Sequence, residues 1–435
     1  MSNSIAYVNN LFVPTPLLKL LLFTKIWYDR KQYKSKNGDC MKKLKNKDIK
    51  DYNKYKLLQV IKQEGAVTIE ECCSKVKLSR PTVSRIIQEL RYEDIIAPTG
   101  CVGDTGGRSA KLFGINDQVL FSIGLVVHLP KIYTVVLGLQ KNIFYQNVFL
   151  LKEPVTVDAF IASLVEEIQK ASDSLAQNAK KLIGIAIGIP GYINSPDGII
   201  VDLEKIPGCQ NIPIAEIIQN HFHVPVILKN DSVIISRVHL SDYLQSANNI
   251  LFTISDDFGI GSTLYHLGKV VDGKRGDCAN LGHISLNPLG DLCFCGLRGC
   301  LDTVASFPGM VNQYNKKSTL PPVKSFSELL SLVSSGNKEA VQVIINAGYS
   351  IGFVIANIVK MCDINLIVLC FPSSYDMSFL VQNIKIGYQE NILPSVKDTA
   401  DFIVDKIDEY EFPLGAAQSI LDSFIYHDSL EDLIE

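Results

Sequence analysis

The stretch from His283 to Cys300 reads HISLNPLGDLCFCGLRGC, and its reading decides how the rest of the chain is organised. It sets one imidazole and three thiols, His283, Cys293, Cys295 and Cys300, in one short segment. Three sulfurs and one nitrogen complete a tetrahedral set for zinc and leave no position for water. The ion they call for is therefore structural rather than catalytic. Gly290, Gly296 and Gly299 supply the tight turns that converging ligands need. In a reducing compartment such a cluster is more often a metal site than a disulfide pair.

Working outward, the chain of 435 residues suggests two or three domains, at roughly 150 residues each. Its charged and apolar fractions are ordinary for a soluble globular protein. Of eleven cysteines, three fall in the knuckle. Cys72, Cys73, Cys362 and Cys370 sit in apolar patterns and read as buried thiols. No spacing suggests a secreted disulfide framework. Leu17–Trp27 is apolar except for Lys19, Thr24 and Lys25, but it is too short for a membrane span and lacks a small-residue cleavage site. Those features predict a cytoplasmic protein with no membrane partner. Residues 1–40 read as a start-site extension without a packed role, because Met41 opens an ordinary cytosolic start, MKKLKNKDIKDYNKY.

Charge divides the chain. Residues 1–111 hold 21 Lys and Arg against 11 Asp and Glu, and the remainder holds 21 against 34. A net of +10 thus precedes a net of −13, which suits a nucleic-acid-facing front on an acidic body.

Residues 46–116 have the pattern of a winged helix-turn-helix. Tyr55, Leu58 and Ile61 recur at helical spacing, and Gly65 ends the run. Thr68-x-x-Glu71 is a capping box for a short second helix. Ser79 is placed to cap a third, with Pro81 in its first turn. Val83, Ile86, Ile87 and Leu90 form that helix's apolar face. Arg80, Thr82, Ser84, Arg85 and Gln88 are left for phosphates and base edges in a major groove. Ile95-Ile96 and Lys111-Leu112-Phe113 flank a glycine-rich turn, as a two-stranded wing would. Arg108, after Gly106-Gly107, is placed to reach a minor groove or a phosphate.

Residues 118–435 alternate apolar strands with amphipathic helices, an α/β pattern. Val119–Val127 and Tyr133–Gly138 read as a hairpin. Leu182–Ile189, Val226–Leu228, Ile250–Ile254 and Leu366–Phe371 read as further strands.

Gly282-His283, then Cys293-x-Cys295-Gly296-x-x-Gly299-Cys300-Leu301, then Ala305-Ser306, resembles the signature of the ROK family (repressors, open reading frames and kinases). The likeness spans about residues 51–420. It implies an N-terminal winged helix-turn-helix followed by a two-lobed actin-like, ribonuclease-H-type domain, with a sugar pocket between the lobes and the 283–300 zinc knuckle as one wall. It implies ligand contacts from Gly191, Asn230, Asp231, Asn280, His283 and Asp302. In the family's kinases the residue matching Asp231 is the base, and the one matching His283 binds both zinc and a sugar hydroxyl. Asp231 would equally suit capping of the following helix.

The family's kinases hold ATP phosphates on an Asp-x-Gly-x-Thr loop and a Gly-Thr-Gly-x-Gly loop. The matching stretches here are Val126-Val127-His128-Leu129-Pro130 and Asp257-Phe258-Gly259-Ile260-Gly261. Valine cannot bind magnesium, Pro130 offers no N–H, and Asp256-Asp257 would repel a triphosphate. The late Gly-Gly is replaced at Leu369–Pro372. These losses predict no kinase activity.

The sugar side departs too. Asn280 and Asp302 stand where glutamates are usual, and Lys205 where an asparagine is usual. Fewer acceptors and an added donor predict an acidic or phosphorylated sugar, or a lost ligand. The expectation is a DNA-binding regulator of carbohydrate metabolism, with a double-stranded operator, a sugar-type effector, structural zinc and a homodimer or higher homo-oligomer. Its rivals are a sugar kinase with an added DNA-binding head, and a regulator controlled by a protein partner.

Overall fold

Thr68 and Glu71 open the helix Ile69–Val76 by satisfying each other's backbone. The Glu71 N–H donates to the Thr68 hydroxyl at 3.2 Å, and the Thr68 N–H donates to the Glu71 carboxylate at 2.7 Å. This is the capping box the spacing predicts. The computed structural model describes residues 46–102, 109–175, 181–244, 246–276, 278–396 and 399–425. Residues 1–40 with Leu17–Trp27, Met41 and the Gly106-Gly107-Arg108 stretch lie outside these.

The front of the chain comprises α1 (Asn46–Glu64), β1 (Ala66–Val67), α2 (Ile69–Val76), α3 (Arg80–Tyr92), β2 (Ile96–Val102) and β3 (Ala110–Ile115). The three strands form an antiparallel sheet in the order β1-β3-β2. Leu57, Ile61, Val83, Ile86 and Leu90 are buried together between the helices. Ser79 sits at the start of α3, but its hydroxyl pairs with Thr82 Oγ1 at 2.9 Å and no backbone N–H reaches it. Thr82 supplies a nearer partner, so the predicted side-chain cap does not form.

The body begins with β4 (Leu120–His128), β5 (Lys131–Gly138), β6 (Ile143–Leu150), α4 (Val157–Asp173) and β7 (Lys181–Ile189). A small sheet of β8 (Tyr192–Asn194), β9 (Ile199–Asp202) and β10 (Gln210–Ile212) follows. Then come α5 (Ile214–Phe222), β11 (Val226–Asn230) and α6 (Asp231–Leu240). The first lobe's sheet runs β11-β7-β4-β5-β6. Every residue of β4 is buried, which explains its unbroken apolar run.

The second lobe contains β12 (Asn249–Ser255), β13 (Ile260–His266), β14 (Lys269–Val270), α7 (Asp302–Ala305), α8 (Phe307–Lys317) and α9 (Phe326–Ser334). It continues with α10 (Lys338–Cys362), β15 (Leu366–Pro372), α11 (Ser378–Asn391) and β16 (Asp401–Ile407), and α12 (Phe412–Ile425) closes the described chain. Its sheet runs β14-β13-β12-β15-β16. Both sheets thus repeat one pattern: an antiparallel meander of three strands, then two parallel strands on the far side of the first. Of the four cysteines expected to be buried, Cys72 and Cys370 are, while Cys73 and Cys362 are half-buried. Helix α10 is long and apolar enough to cross a membrane, yet Ala347, Ile351 and Ile355 sit in the second lobe's core.

Helix α12 returns across the first lobe. Phe412, Ala416 and Ile420 pack into the core between the lobes, while Ala417 and Leu421 share a core with Leu57 and Ile61 of α1. The approach to β4 is close. A Cβ at Gly124 would stand 2.3 Å from the Ala417 nitrogen and 2.4 Å from the Pro413 oxygen. Gly124→Ala is expected to lower the unfolding free energy by about 1–3 kcal/mol, read from urea denaturation, because the helix must shift to admit one methyl.

Candidate functional site

The strands β4 and β12 end at the mouth of one cleft, and the residues at their ends meet. His128 closes β4, and Asp256 follows β12. His128 Nε2 lies 3.2 Å from Asp256 Oδ2. The Phe258 ring stacks on His128 with centroids 3.6 Å apart. Phe412, the first residue of α12, meets His128 edge-on at 4.7 Å. Asp256 also accepts N–H bonds from Phe258 (2.7 Å) and Gly259 (3.3 Å). Burial works to raise its proton affinity, but His128 and these donors outweigh burial and hold Asp256 below the usual carboxylate range.

Behind this contact lies an open cleft between the lobes. Gly191, Asn230, Asp231, Asn280, His283 and Asp302 all line it. These six are scattered along the sequence, and the fold brings them to one surface. Gly191 has φ of +105°, and a Cβ there would meet the Asp202 oxygen at 2.8 Å, so the turn needs glycine. Asn230 caps α6: its Oδ1 accepts from the Ser232 N–H at 3.0 Å and the Ser232 hydroxyl at 2.6 Å. Asp231 is the first residue of that helix, and its Oδ1 accepts the same Ser232 N–H at 2.8 Å. Burial pushes the Asp231 carboxyl up to about 6. Asp302 accepts the Ile260 N–H at 2.9 Å, and burial pushes its carboxyl up to about 7.

The sequence offered no signal for Phe258 as a platform, because an aromatic in a turn has no periodic pattern to declare it. Tyr192 and Phe294 also line the cleft. They stand close to the His283 ring, at centroid distances of 5.9 and 5.1 Å.

His283 joins the cleft to the knuckle. The ligand atoms of His283, Cys293, Cys295 and Cys300 all lie within 4.8 Å of one another. Cys295 Sγ and Cys300 Sγ are 3.6 Å apart, and Cys293 Sγ lies 3.7 Å from His283 Nδ1. A tetrahedron around zinc, with thiolates at about 2.3 Å, has edges of roughly 3.6–3.8 Å. The set therefore fits such an ion, and the sulfurs are too far apart for a disulfide. Burial pushes the Cys293 and Cys300 thiols up to about 12 and about 11. A bound cation would supply the charge that thiolates need there.

The front presents its own surface. On α3, Arg85 and Gln88 are exposed, and Thr82 and Ser84 are half-buried. Arg80 is exposed but pairs with Glu70 at 2.8 Å.

The ROK family's profile matches residues 124–417. This chain belongs to the ROK family. A xylose repressor of Caldicellulosiruptor bescii is 22% identical over 341 residues, covering 75% of this chain and 84% of that protein. A glucokinase of Halalkalibacterium halodurans is 28% identical over 258 residues, covering 55% of this chain and 76% of its own. The crystal structure of a ROK family transcriptional regulator, a homolog of the E. coli Mlc protein, superposes with a TM-score of 0.73 at 22% identity, over 88% of this chain and all of that one. The body is thus the ROK family's α/β domain, with the actin-like fold its repeated sheets display.

Replacing one thiol of the ROK knuckle should cost the metal. Cys295→Ser is expected to lose at least about tenfold in metal content per chain, read by elemental analysis of purified protein.

Proposed function

We propose that this protein is a DNA-binding transcriptional regulator of carbohydrate metabolism, acting as a repressor and released by a sugar. The observation that carries the reading is the continuous core joining the front to the body: Leu57 and Ile61 of α1 pack with Ala417 and Leu421 of α12. The front, residues 46–116, acts as a winged helix-turn-helix. Its three helices and small antiparallel sheet have that arrangement, and α3 offers Arg85 and Gln88 outward. The surface pair Arg80–Glu70 is worth little and gives way readily to a phosphate. Ser84 and Thr82 flank the same helix start, and Arg108, by its place in the sequence after Gly106-Gly107, is the further proposed contact to DNA. Likeness to repressors over three quarters of the chain, against just over half for the glucokinase, supports a head that belongs to the design.

Within residues 118–435 the cleft binds the effector. Asn230, Asp231, Asn280, His283 and Asp302 offer acceptors and donors to its hydroxyls, and Gly191 approaches with bare backbone. Zinc held by His283 Nδ1 and the three thiolates fixes one wall; it supplies rigidity and no chemistry. Closure of the lobes moves α12, and with it the head. A cytoplasmic homodimer sets two heads on half-sites about one helical turn apart.

The cleft has no phosphoryl-transfer role in this reading. Val126 is buried in the core between the lobes, and His128 and Asp256 engage each other where phosphates would need donors. A coupled ATPase assay across hexoses tests this, and turnover would revive the kinase reading. A second reading, control by a protein partner, draws support from the knuckle's exposed Leu289, Leu292, Phe294 and Leu297. Pull-downs from cells grown on different sugars separate it from small-molecule induction.

The function itself is tested by mapping which fragments of the source chromosome the protein holds, then adding sugars. Specific fragments should be held and released; indifference to every fragment contradicts the proposal. Arg85→Ala should weaken operator binding by about 1–3 kcal/mol in a gel-shift titration, if its guanidinium reads a guanine. Asp231→Ala should leave DNA affinity unchanged and abolish release by sugar; retained release would place the effector elsewhere.

A further inference from the structure

Lys205 lies in the loop between β9 and β10, on the first lobe's side of the cleft, and lines it. Its ammonium stands 3.8 Å from the centroid of Phe258, which belongs to the second lobe. That is within cation–π range, and the contact crosses the cleft. Lys205 makes no ion pair within 4.0 Å among the described residues, yet it sits in the field of Asp256, Asp231, Asp257 and Glu204. The other charged groups lining the cleft are carboxylates: Glu204, Asp231, Asp256 and Asp302. One ammonium thus faces an acidic wall, and its outer approach is covered by an aromatic ring. Burial lowers the proton affinity of Lys205, and the carboxylates of Asp256, Asp231, Asp257 and Glu204 offset part of that.

From its residue type alone Lys205 looks like a hand held out to an acidic ligand. Its surroundings favour the opposite role. We infer that Lys205 is a tethered counter-cation for the cleft's carboxylates and a specificity-determining residue, so that the effector is a monosaccharide without an anionic group. The inference rests on the sugar-sensing reading and names the ligand class for the same cleft. A phosphomonoester would bring about 1.5 to 2 further negative charges among Asp231, Asp256 and Asp302. Its natural donor is already engaged with Phe258. Uncharged hydroxyls meet no such penalty, and carboxylates accept from them directly. Phe258 adds an apolar wall for the carbon face of the ring, and its stacking on His128 closes that side against a phosphate.

The test uses the full chain and defined sugars as probes. Calorimetry compares glucose with glucose 6-phosphate and N-acetylglucosamine with its 6-phosphate. In any pair that binds, the unphosphorylated member should bind at least about tenfold tighter. A phosphate preferred in wild type and no longer preferred in Lys205→Met overturns the inference and leaves sugar sensing intact. Absence of binding by every sugar, xylose included, counts against sugar sensing itself. The counter-ion role is judged separately by thermal unfolding. Asp231→Asn should raise the unfolding midpoint by several degrees more in Lys205→Met than in the wild-type protein. Inorganic phosphate should shift wild type and Lys205→Met equally. An equal effect of Asp231→Asn in both backgrounds, or stabilisation by phosphate that requires Lys205, contradicts the assignment.

Discussion

The packing of α12 against both the cleft and the front constrains everything else in this molecule. Its first residue, Phe412, touches His128 at the cleft mouth, and its later residues Ala417 and Leu421 sit in the core of the helical front. Glycine at position 124 of β4, and at position 415 of the helix itself, allows backbone to pack on backbone. Near the far end, Asp422 faces Lys62 of α1 at 4.0 Å and Arg237 of α6 at 3.7 Å. Helix α6 in turn begins at Asp231 in the cleft. Two helices therefore run from the cleft to one carboxylate at the front. Close-packed contacts of this kind transmit a shift rather than absorb it.

The cleft is bridged by contacts between the two lobes. Ends of equivalent strands in the two lobes face each other, and in this chain they carry an imidazole and a carboxylate that meet. Phe258 stacks on the imidazole and receives the Lys205 ammonium, so contacts across the cleft are internal to the protein. What remains open is lined by polar side chains, among them Asn230, Asp231, Asn280 and Asp302, and by the imidazole of His283 from the His–Cys cluster.

Much of this was legible in the sequence, for identifiable reasons. The ligand set at 283–300 is local, so its chemistry can be read from spacing; the structure brings the four ligand atoms within 4.8 Å of one another. Thr68 and Glu71 declare a helix start because a capping box acts over four residues. The strands β4, β7, β12 and β15 announce themselves as apolar runs because both of their faces are buried. Ser79 misled, since choosing between a backbone N–H and Thr82 depends on rotamers. Lys205 and Phe258 were invisible as a pair, because their contact joins two lobes and no local pattern encodes it. The sharing of one core by α1 and α12 is likewise a long-range packing fact. Sequence shows that Leu57 and Leu421 are apolar, and only the fold shows that they meet.

The most direct measurement is the DNA affinity of Phe412→Ala, determined on fragments that the wild-type protein holds, with folding checked by the unfolding midpoint. Phe412 meets His128 and lies in the core between the lobes rather than the core of the helical front. If α12 carries the state of the cleft to the head, affinity should change several-fold in the folded variant. A folded variant that binds those fragments with wild-type affinity would show that cleft and head are independent, and would contradict the account.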